Sequence, residues 1–231
     1  MNKRRIKISA SMACANFACL EKDIHDLEEA GVSMLHFDIA DGSFADTFII
    51  GPSIIKNIRY LTRIPFDVHL AVWHPCKFIE QFIEAGSEYI GVHIEATDDI
   101  KKVLRRINDL GSRSILAFCP ETPIEKIKEE LFYMVDMILL LTVHPGYAGQ
   151  SFISPTLNKI RQLSNLLERT GLSHLDIAVD GNINPKTIPS VVKAGANVLI
   201  GGSSGLFIKG RPIKNCVKLM SEAAHQALQE N

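Results

Sequence analysis

The feature that most constrains this chain is an alternation, kept up from end to end, of short β-type runs with amphipathic helical segments. Eight runs read as strands: Ile6–Ser11, Met34–Ile39, Phe66–Leu70, Tyr89–His93, Ser114–Phe118, Met137–Val143, His174–Val179 and Asn197–Gly201. Between them, Leu20–Ala30, Pro75–Ala85, Ile100–Leu110, Ile124–Tyr133 and Pro155–Thr170 space their apolar residues as helices do. A weak repeat marks the unit. Glu29-Ala-Gly31, Glu84-Ala-Gly86 and Lys193-Ala-Gly195 each place a glycine where a helix closes in the left-handed conformation and the chain turns into the next strand.

Parallel strands need a crossover between them, so unbroken alternation of strand and helix implies a parallel sheet. Eight such units in 231 residues predict an α/β fold, a (β/α)8 TIM barrel. No Pro/Gly/Ser-rich linker or charge block divides the sequence, so residues 1–231 read as a single domain. The competing open, doubly wound sheet calls for a Gly-x-Gly-x-x-Gly turn after the first strand, where this chain has Ser11-Met-Ala-Cys-Ala-Asn16.

Charge and cysteine usage narrow the function. With 25 basic against 26 acidic residues, there is no excess field to attract nucleic acid or an anionic membrane, so any anion must be bound locally. The longest largely apolar run, Met137 to Val143, is too short to span a bilayer, and the polar start Met1-Asn-Lys-Arg-Arg5 does not read as a secretory signal. A cytoplasmic location is expected. Cys14, Cys19, Cys76, Cys119 and Cys216 are odd in number and form no Cys-x-x-Cys pair, so they are expected to be reduced thiols rather than a disulfide framework or a thiolate zinc site.

Polar residues stand where a barrel points inward. Alternate side chains of a strand share a face. In the second strand Leu35, Phe37 and Ile39 form an apolar set, leaving His36, Asp38 and Ala40 on the other face. The third sets Phe66, Val68 and Leu70 against Asp67, His69 and Ala71, and the seventh sets Leu175, Ile177 and Val179 against Asp176, Ala178 and Asp180. The fourth contributes His93 in the same way. A single buried histidine or aspartate usually means a hydrogen-bonded structural group. Four together near strand C-termini, His36, Asp38, His69 and Asp180, would leave charge without a counter-ion, and a divalent cation is the natural neutraliser. Two nitrogens and two carboxylate oxygens suit Zn²⁺, and also Fe²⁺, Mn²⁺ or Co²⁺.

Three neighbouring strand-end loops are rich in glycine: His144-Pro-Gly146-Tyr-Ala-Gly149-Gln150, Gly181-Asn182, and Gly201-Gly202-Ser203-Ser-Gly205. Glycines let backbone N–H groups converge on an anion, and this corner of a barrel commonly holds phosphate. The sequence has no Gly-x-x-x-x-Gly-Lys-Ser/Thr run, which directs the expectation toward a small phosphorylated metabolite rather than a nucleoside triphosphate.

Carried by these residues, the chain resembles the ribulose-phosphate 3-epimerase family over nearly its whole length. The matching motifs are Ile8-Ser-Ala-Ser11, His36-Phe-Asp38-Ile-Ala-Asp-Gly42, Asp67-Val-His69-Leu70, His93-Ile-Glu-Ala96, Thr142-Val-His-Pro-Gly-Tyr-Ala-Gly-Gln-Ser-Phe152, Val179-Asp-Gly181 and Gly202-Ser203. Pro120-Glu-Thr-Pro123 and Ser204-Gly-Leu-Phe207 look like the allulose-6-phosphate 3-epimerase branch. The resemblance implies a ribulose-phosphate-binding barrel that inverts carbon 3 of a ketose phosphate. It also implies that His36, Asp38, His69 and Asp180 hold the metal, with Asp38 and Asp180 as acid and base. Ser11 and His69 would contact substrate, and Gly146, Gly149, Gly181, Asn182, Gly202 and Ser203 would surround the phosphate. Self-association into a homo-oligomer is implied too.

The chain departs from the family pattern over Ala40-Asp-Gly-Ser-Phe-Ala-Asp-Thr47, where the family usually has Met-Asp-Gly-His-Phe-Val-Pro-Asn, and at Ala71 and His144. Ala40 and Ala71 stand where the family usually has methionine, Ser43 where its loop usually carries an imidazole, and His144 where an acid or Asn usually precedes Pro145. None is a proposed metal ligand; the lost bulk bears on which sugar fits. Two other classes compete with this reading. A sugar-phosphate decarboxylase on the same scaffold would need an Asp-x-Lys-x-x-Asp array, whereas Asp99-Ile-Lys101 is followed by Lys102, Val103 and Leu104. A non-catalytic barrel would have no use for the four-residue ligand set.

Overall fold

A strand covered by helices on one side and by its own barrel on the other must bury both faces, and the eight runs do so by closing on themselves. The computed structural model describes residues 5–97 and 99–230; the polar stretch Met1–Arg4, the terminal Asn231 and Asp98 lie outside the described residues. Its strands are β1 (Lys7–Ser11), β2 (Met34–Ala40), β3 (Phe66–Ala71), β4 (Tyr89–His93), β5 (Arg113–Phe118), β6 (Met137–Leu141), β7 (Asp176–Asp180) and β8 (Val198–Gly201). All pair in parallel and in sequence order, and β8 returns to β1 to close the barrel. The expected fold is the observed one.

Two layers of apolar packing follow from the period of two. Outward residues, among them Leu35, Phe37, Phe66, Val68, Leu116, Ile138, Ile177, Val179 and Leu199, are buried under the helices. Inward residues of β5–β8, namely Ile115, Ala117, Met137, Leu139, Leu141, Ala178, Val198 and Ile200, fill the barrel with Met34 as a separate cluster. Buried polar residues also point inward, Ser9, Ser11, His36, Asp67, His69 and His93, and all six come from β1–β4. The β5–β8 side of the barrel is thus mainly an apolar plug and the β1–β4 side carries most of the ionisable groups, with Asp176 and Asp180 added from β7.

The helices are α1 (Leu20–Ala30), α2 (Pro52–Ile58), α3 (Ile79–Glu84), α4 (Ile100–Asp109), α5 (Thr156–Arg169), α6 (Ile188–Lys193) and α7 (Ile213–Gln229). Gly31, Gly86 and Gly195 have φ of 77°, 103° and 114°, as the repeat predicts for glycines that close helices. After β8, α7 packs against α1 and α6 and covers the seam between the ends of the chain.

One predicted helix is absent. Ile124–Tyr133 folds as two 3₁₀ turns, Ile124–Lys126 and Glu129–Met134, separated by extended backbone at Ile127 and Lys128. Its buried residues Ile124, Ile127, Leu131 and Phe132 sit three, four and one apart, a spacing that a 3₁₀ turn of period three serves as well as an α-helix does. The segment predicted over Pro75–Ala85 is likewise divided. A 3₁₀ turn at Pro75–Lys77 precedes α3, with Phe78 at φ −114° between them. The strand predicted as His174–Val179 begins two residues later, at Asp176. The β6 prediction ran two residues too far, because beyond Leu141 the chain turns to cover the site.

No helix among the described residues is long and apolar enough to cross a membrane. All five cysteines are free thiols.

Candidate active site

The C-terminal ends of the strands open into a cavity of about 590 Å³, a volume suited to a small metabolite. Ten of the residues singled out from sequence line it: Ser11, Asp38, His69, Gly146, Gly149, Asp180, Gly181, Asn182, Gly202 and Ser203. His36 lies just beneath, fully buried. Strand register explains the convergence. Ser11 pairs with His36, His36 with Asp67, Asp38 with His69, and Ala40 with Ala71, so three adjacent strands raise matched rungs toward the mouth. Asp180 stands at the end of β7, next to Leu141 and Ile200.

Asp38 is the hub. Its Oδ1 lies 3.2 Å from His36 Nε2 and 3.1 Å from His69 Nδ1, while Ser11 Oγ donates to Oδ2 at 3.1 Å. His36 Nδ1 donates to Asp67 Oδ2 at 2.7 Å. That bond commits Nδ1 as a donor and leaves Nε2 facing Asp38, the arrangement by which a carboxylate behind a histidine orients it; an ion bound there would displace the Nε2 proton. Asp67 was visible in the sequence as an inward residue but was not assigned to the site.

His36, Asp38 and His69 each offer an atom within 4.8 Å of the others, close enough to share one ion. Without an ion the two imidazoles can donate to the Asp38 carboxylate; with their protons displaced, the three atoms would be electron-pair donors to a shared cation. The donor set, two imidazoles and a carboxylate with a second carboxylate nearby, fits a borderline divalent cation. Asp180 lies outside that 4.8 Å group, although it lines the same cavity.

The electrostatics separate the two cavity carboxylates. Burial penalises the charged form of Asp38, but His36 and His69 outweigh it and hold the carboxyl well below the usual range. Asp180 goes the other way: burial, then the negative charge of Asp38, pushes its pKa up to about 6, against the pull of His36, His69 and the Gly181 N–H. For His36, burial opposes a proton while Asp67 and Asp38 favour it, and the net shift is well above the ordinary imidazole value. Two carboxylates driven apart in one site is the pattern of an acid and base pair.

Behind His69 runs a second polar line. His69 Nε2 lies 2.7 Å from His93 Nε2, and His93 Nδ1 lies 3.1 Å from Glu95 Oε2. Burial lowers the pKa of His93 to about 4. Glu95 falls to about 2, because hydrogen bonds from His93 and Thr122 outweigh its burial. The sequence offered His93 by strand parity; Glu95, two residues on, lies in a 3₁₀ turn where parity gives no signal.

Glycine-rich backbone forms the opposite wall. Gly181 has φ 118°, and a Cβ there would meet Val143 N at 2.8 Å, so only glycine fits against the β6 loop. Asn182 is also left-handed, at φ 53°, and its Nδ2 donates to Gln150 O, tying two loops together. No lysine or arginine is among the described residues lining the cavity, so an anion here would rely on backbone N–H groups and on Ser203 and Ser204. His144 is exposed and lies 3.1 Å from Glu121 across the mouth. The loop after β2 closes the third side with Ala45, Thr47, Phe48, Ile49 and Ile50, a wall that the sequence did not reveal.

Comparison with known proteins matches residues 7–207 to the model of the ribulose-phosphate 3 epimerase family. A ribulose-phosphate 3-epimerase of Methanocaldococcus jannaschii is 39% identical over 226 residues, covering 98% of this chain and 94% of that protein. One from Bacillus subtilis is 38% identical over 199 residues, covering 86% of this chain and 91% of its own. Among solved structures, 3-keto-L-gulonate-6-phosphate decarboxylase from Vibrio cholerae superposes with a TM-score of 0.68 at 13% identity, covering 96% of this chain and 99% of that one, a likeness of fold alone.

Proposed function

The chain belongs to the ribulose-phosphate 3-epimerase family, and from that membership we propose that it inverts carbon 3 of a phosphorylated ketose by two proton transfers on opposite faces. Asp38 and Asp180 are the acid and base in this reading, and the observation that carries it is their opposed shifts across one cavity. One carboxylate takes the C3 proton beside the C2 carbonyl. The resulting ene-diolate receives a proton from the other, and the roles exchange with direction. A divalent ion, held by His36, Asp38 and His69 with Asp180 reaching in, would supply Lewis acidity at the C2 and C3 oxygens. Zn²⁺ is the ion proposed, with Fe²⁺, Mn²⁺ or Co²⁺ as substitutes.

The remaining residues bind and exclude. Ser11 holds Asp38 through its Oδ2 and is near enough to share a substrate hydroxyl. His69 would contact the sugar beside it. Gly146, Gly149, Gly181, Asn182, Gly202 and Ser203 would surround the phosphate. A single domain, self-association and a cytoplasmic location belong to the same proposal.

D-ribulose 5-phosphate and D-xylulose 5-phosphate are the substrates that the relatives' names support. The hexulose pair, D-allulose 6-phosphate and D-fructose 6-phosphate, is the alternative proposed. Ala40 and Ala71 face each other in register, both buried and both lining the cavity beside Asp38 and His69. Their methyl groups leave space in which a longer sugar can lie. Steady-state kinetics on both pairs tests this: Ala40→Met with Ala71→Met should raise the pentulose-to-hexulose ratio of kcat/KM by roughly tenfold or more, the scale of filling a pocket by a few methylenes. An unchanged ratio would remove these alanines from substrate selection.

A further inference from the structure

A carboxylate only accepts hydrogen bonds, and this constrains the line of groups behind His69. Glu95 Oε1 accepts from the backbone N–H of Cys119 at 2.9 Å and from the Thr122 hydroxyl. Its Oε2 faces His93 Nδ1, which must therefore carry the proton. The neutral His93 ring then presents a bare Nε2 to His69 Nε2, 2.7 Å away, so His69 is the donor in that pair. His69 Nε2 is thereby committed as a donor, so in the neutral ring Nδ1 is the free nitrogen, and it is the one turned toward Asp38 and the metal-binding cluster. Phe44 stacks on His93 at 4.7 Å between centroids, and both imidazoles are buried, so neither can relax by turning into water.

We propose that Glu95, acting through His93, is a positioning residue that sets the tautomer of His69 and so makes it able to bind a metal ion. The inference rests on the reading of His69 as a metal ligand. Without this direction, the favoured arrangement reverses: His69 would hold its proton on Nδ1 and donate it to the Asp38 carboxylate, closing the site with a hydrogen bond. Glu95 acts from two residues beyond the end of β4 and touches neither substrate nor metal.

Glu95→Gln makes the proposal sharp. The Cys119 N–H needs an acceptor, so the glutamine carbonyl takes the Oε1 position and the amide NH₂ faces His93 Nδ1. Every bond in the line then reverses, ending with His69 Nδ1–H aimed at Asp38. Glu95→Ala removes the direction without imposing the opposite one. A packing role would rank the variants by lost volume, with alanine worse; a tautomer role makes glutamine the worse of the two for metal binding.

The experiment measures Zn²⁺ and Co²⁺ dissociation constants by chelator competition for the wild-type chain and both variants, with ¹⁵N NMR of the histidines in the metal-free proteins. Expected is a loss of affinity of roughly 10–100-fold in Glu95→Gln, the scale for partners behind a ligating histidine, and a smaller loss in Glu95→Ala. With the His69 ring neutral, its Nδ1 resonance should be of the unprotonated type in wild type and protonated in Glu95→Gln. Three results overturn the proposal: alanine binding more weakly than glutamine, a neutral His69 that carries its proton on Nδ1 in metal-free wild type, or a second ion held by His93, Glu95 and Cys119, which also come together closely enough to ligate one. Should the wild type bind no ion at all, the metal reading fails by itself, while the NMR comparison still decides whether Glu95 sets the tautomer.

Discussion

Asp180→Asn is expected to leave the barrel folded while lowering kcat for epimerisation by about 10⁴-fold, the upper range for loss of a positioned general acid or base. The variant keeps His36, Asp38 and His69 and offers the ion an amide oxygen in place of the Asp180 carboxylate, so the site can still be loaded. Asp38 can then still remove the C3 proton from the epimer that presents it, but can return a proton only to the face it came from. In heavy water that epimer should exchange its C3 proton without inverting, and the other should not exchange. Asp38→Asn is expected to do more damage, because its carboxylate also holds both imidazoles through Oδ1 and Ser11 through Oδ2. Near wild-type turnover in either variant would refute the assignment of acid and base. Exchange of both epimers in Asp180→Asn would assign the second proton transfer to another group.

Removing bound metal should abolish epimerisation, and a divalent ion should restore it. Dialysis against a chelator, followed by addition of Zn²⁺, Co²⁺, Mn²⁺ or Fe²⁺ one at a time, should recover activity in proportion to about one ion per chain. The pH dependence of affinity has a definite sign. In the metal-free site His36 holds its proton more tightly than an ordinary imidazole, and Asp180 titrates at about 6. An ion displaces both protons, so binding tightens as pH rises and weakens as it falls, by about tenfold per pH unit for each proton displaced in that range. Full activity after exhaustive chelation, with no ion left by elemental analysis, would exclude the proposed role of the metal.

Much of this site could be read from strand parity. His36 and Asp38, and Asp67 and His69, are each two apart in strands whose other face is apolar, and the register of β2 with β3 brings the two sets together. Asp180 was legible in the same way at the end of β7. Parity stops at the strand end, however, and beyond it only the glycine-rich loops after β6, β7 and β8 could be read. Glu95 sits in a turn, the Ala45–Ile50 wall belongs to a loop, and the placement of Asp180 outside the three-residue cluster depends on barrel curvature.

The absent helix over Ile124–Tyr133 has a different cause. There the apolar spacing was real and correctly marks the buried side, but spacings of three and four do not distinguish successive 3₁₀ turns from an α-helix. What decides it is the extended backbone at Ile127 and Lys128, which no local residue type announces. Helices whose glycine closures are written into the sequence, at Gly31, Gly86 and Gly195, end where expected because a left-handed φ leaves few other choices.

Proton NMR in heavy water, with the metal-loaded chain and each of the four ketose phosphates in turn, bears most directly on the two-carboxylate epimerase. Incorporation of solvent deuterium at C3, and at no other carbon, together with appearance of the C3 epimer, is the result expected. Bound metal and bound sugar phosphate with no exchange at C3 of any of the four would contradict it.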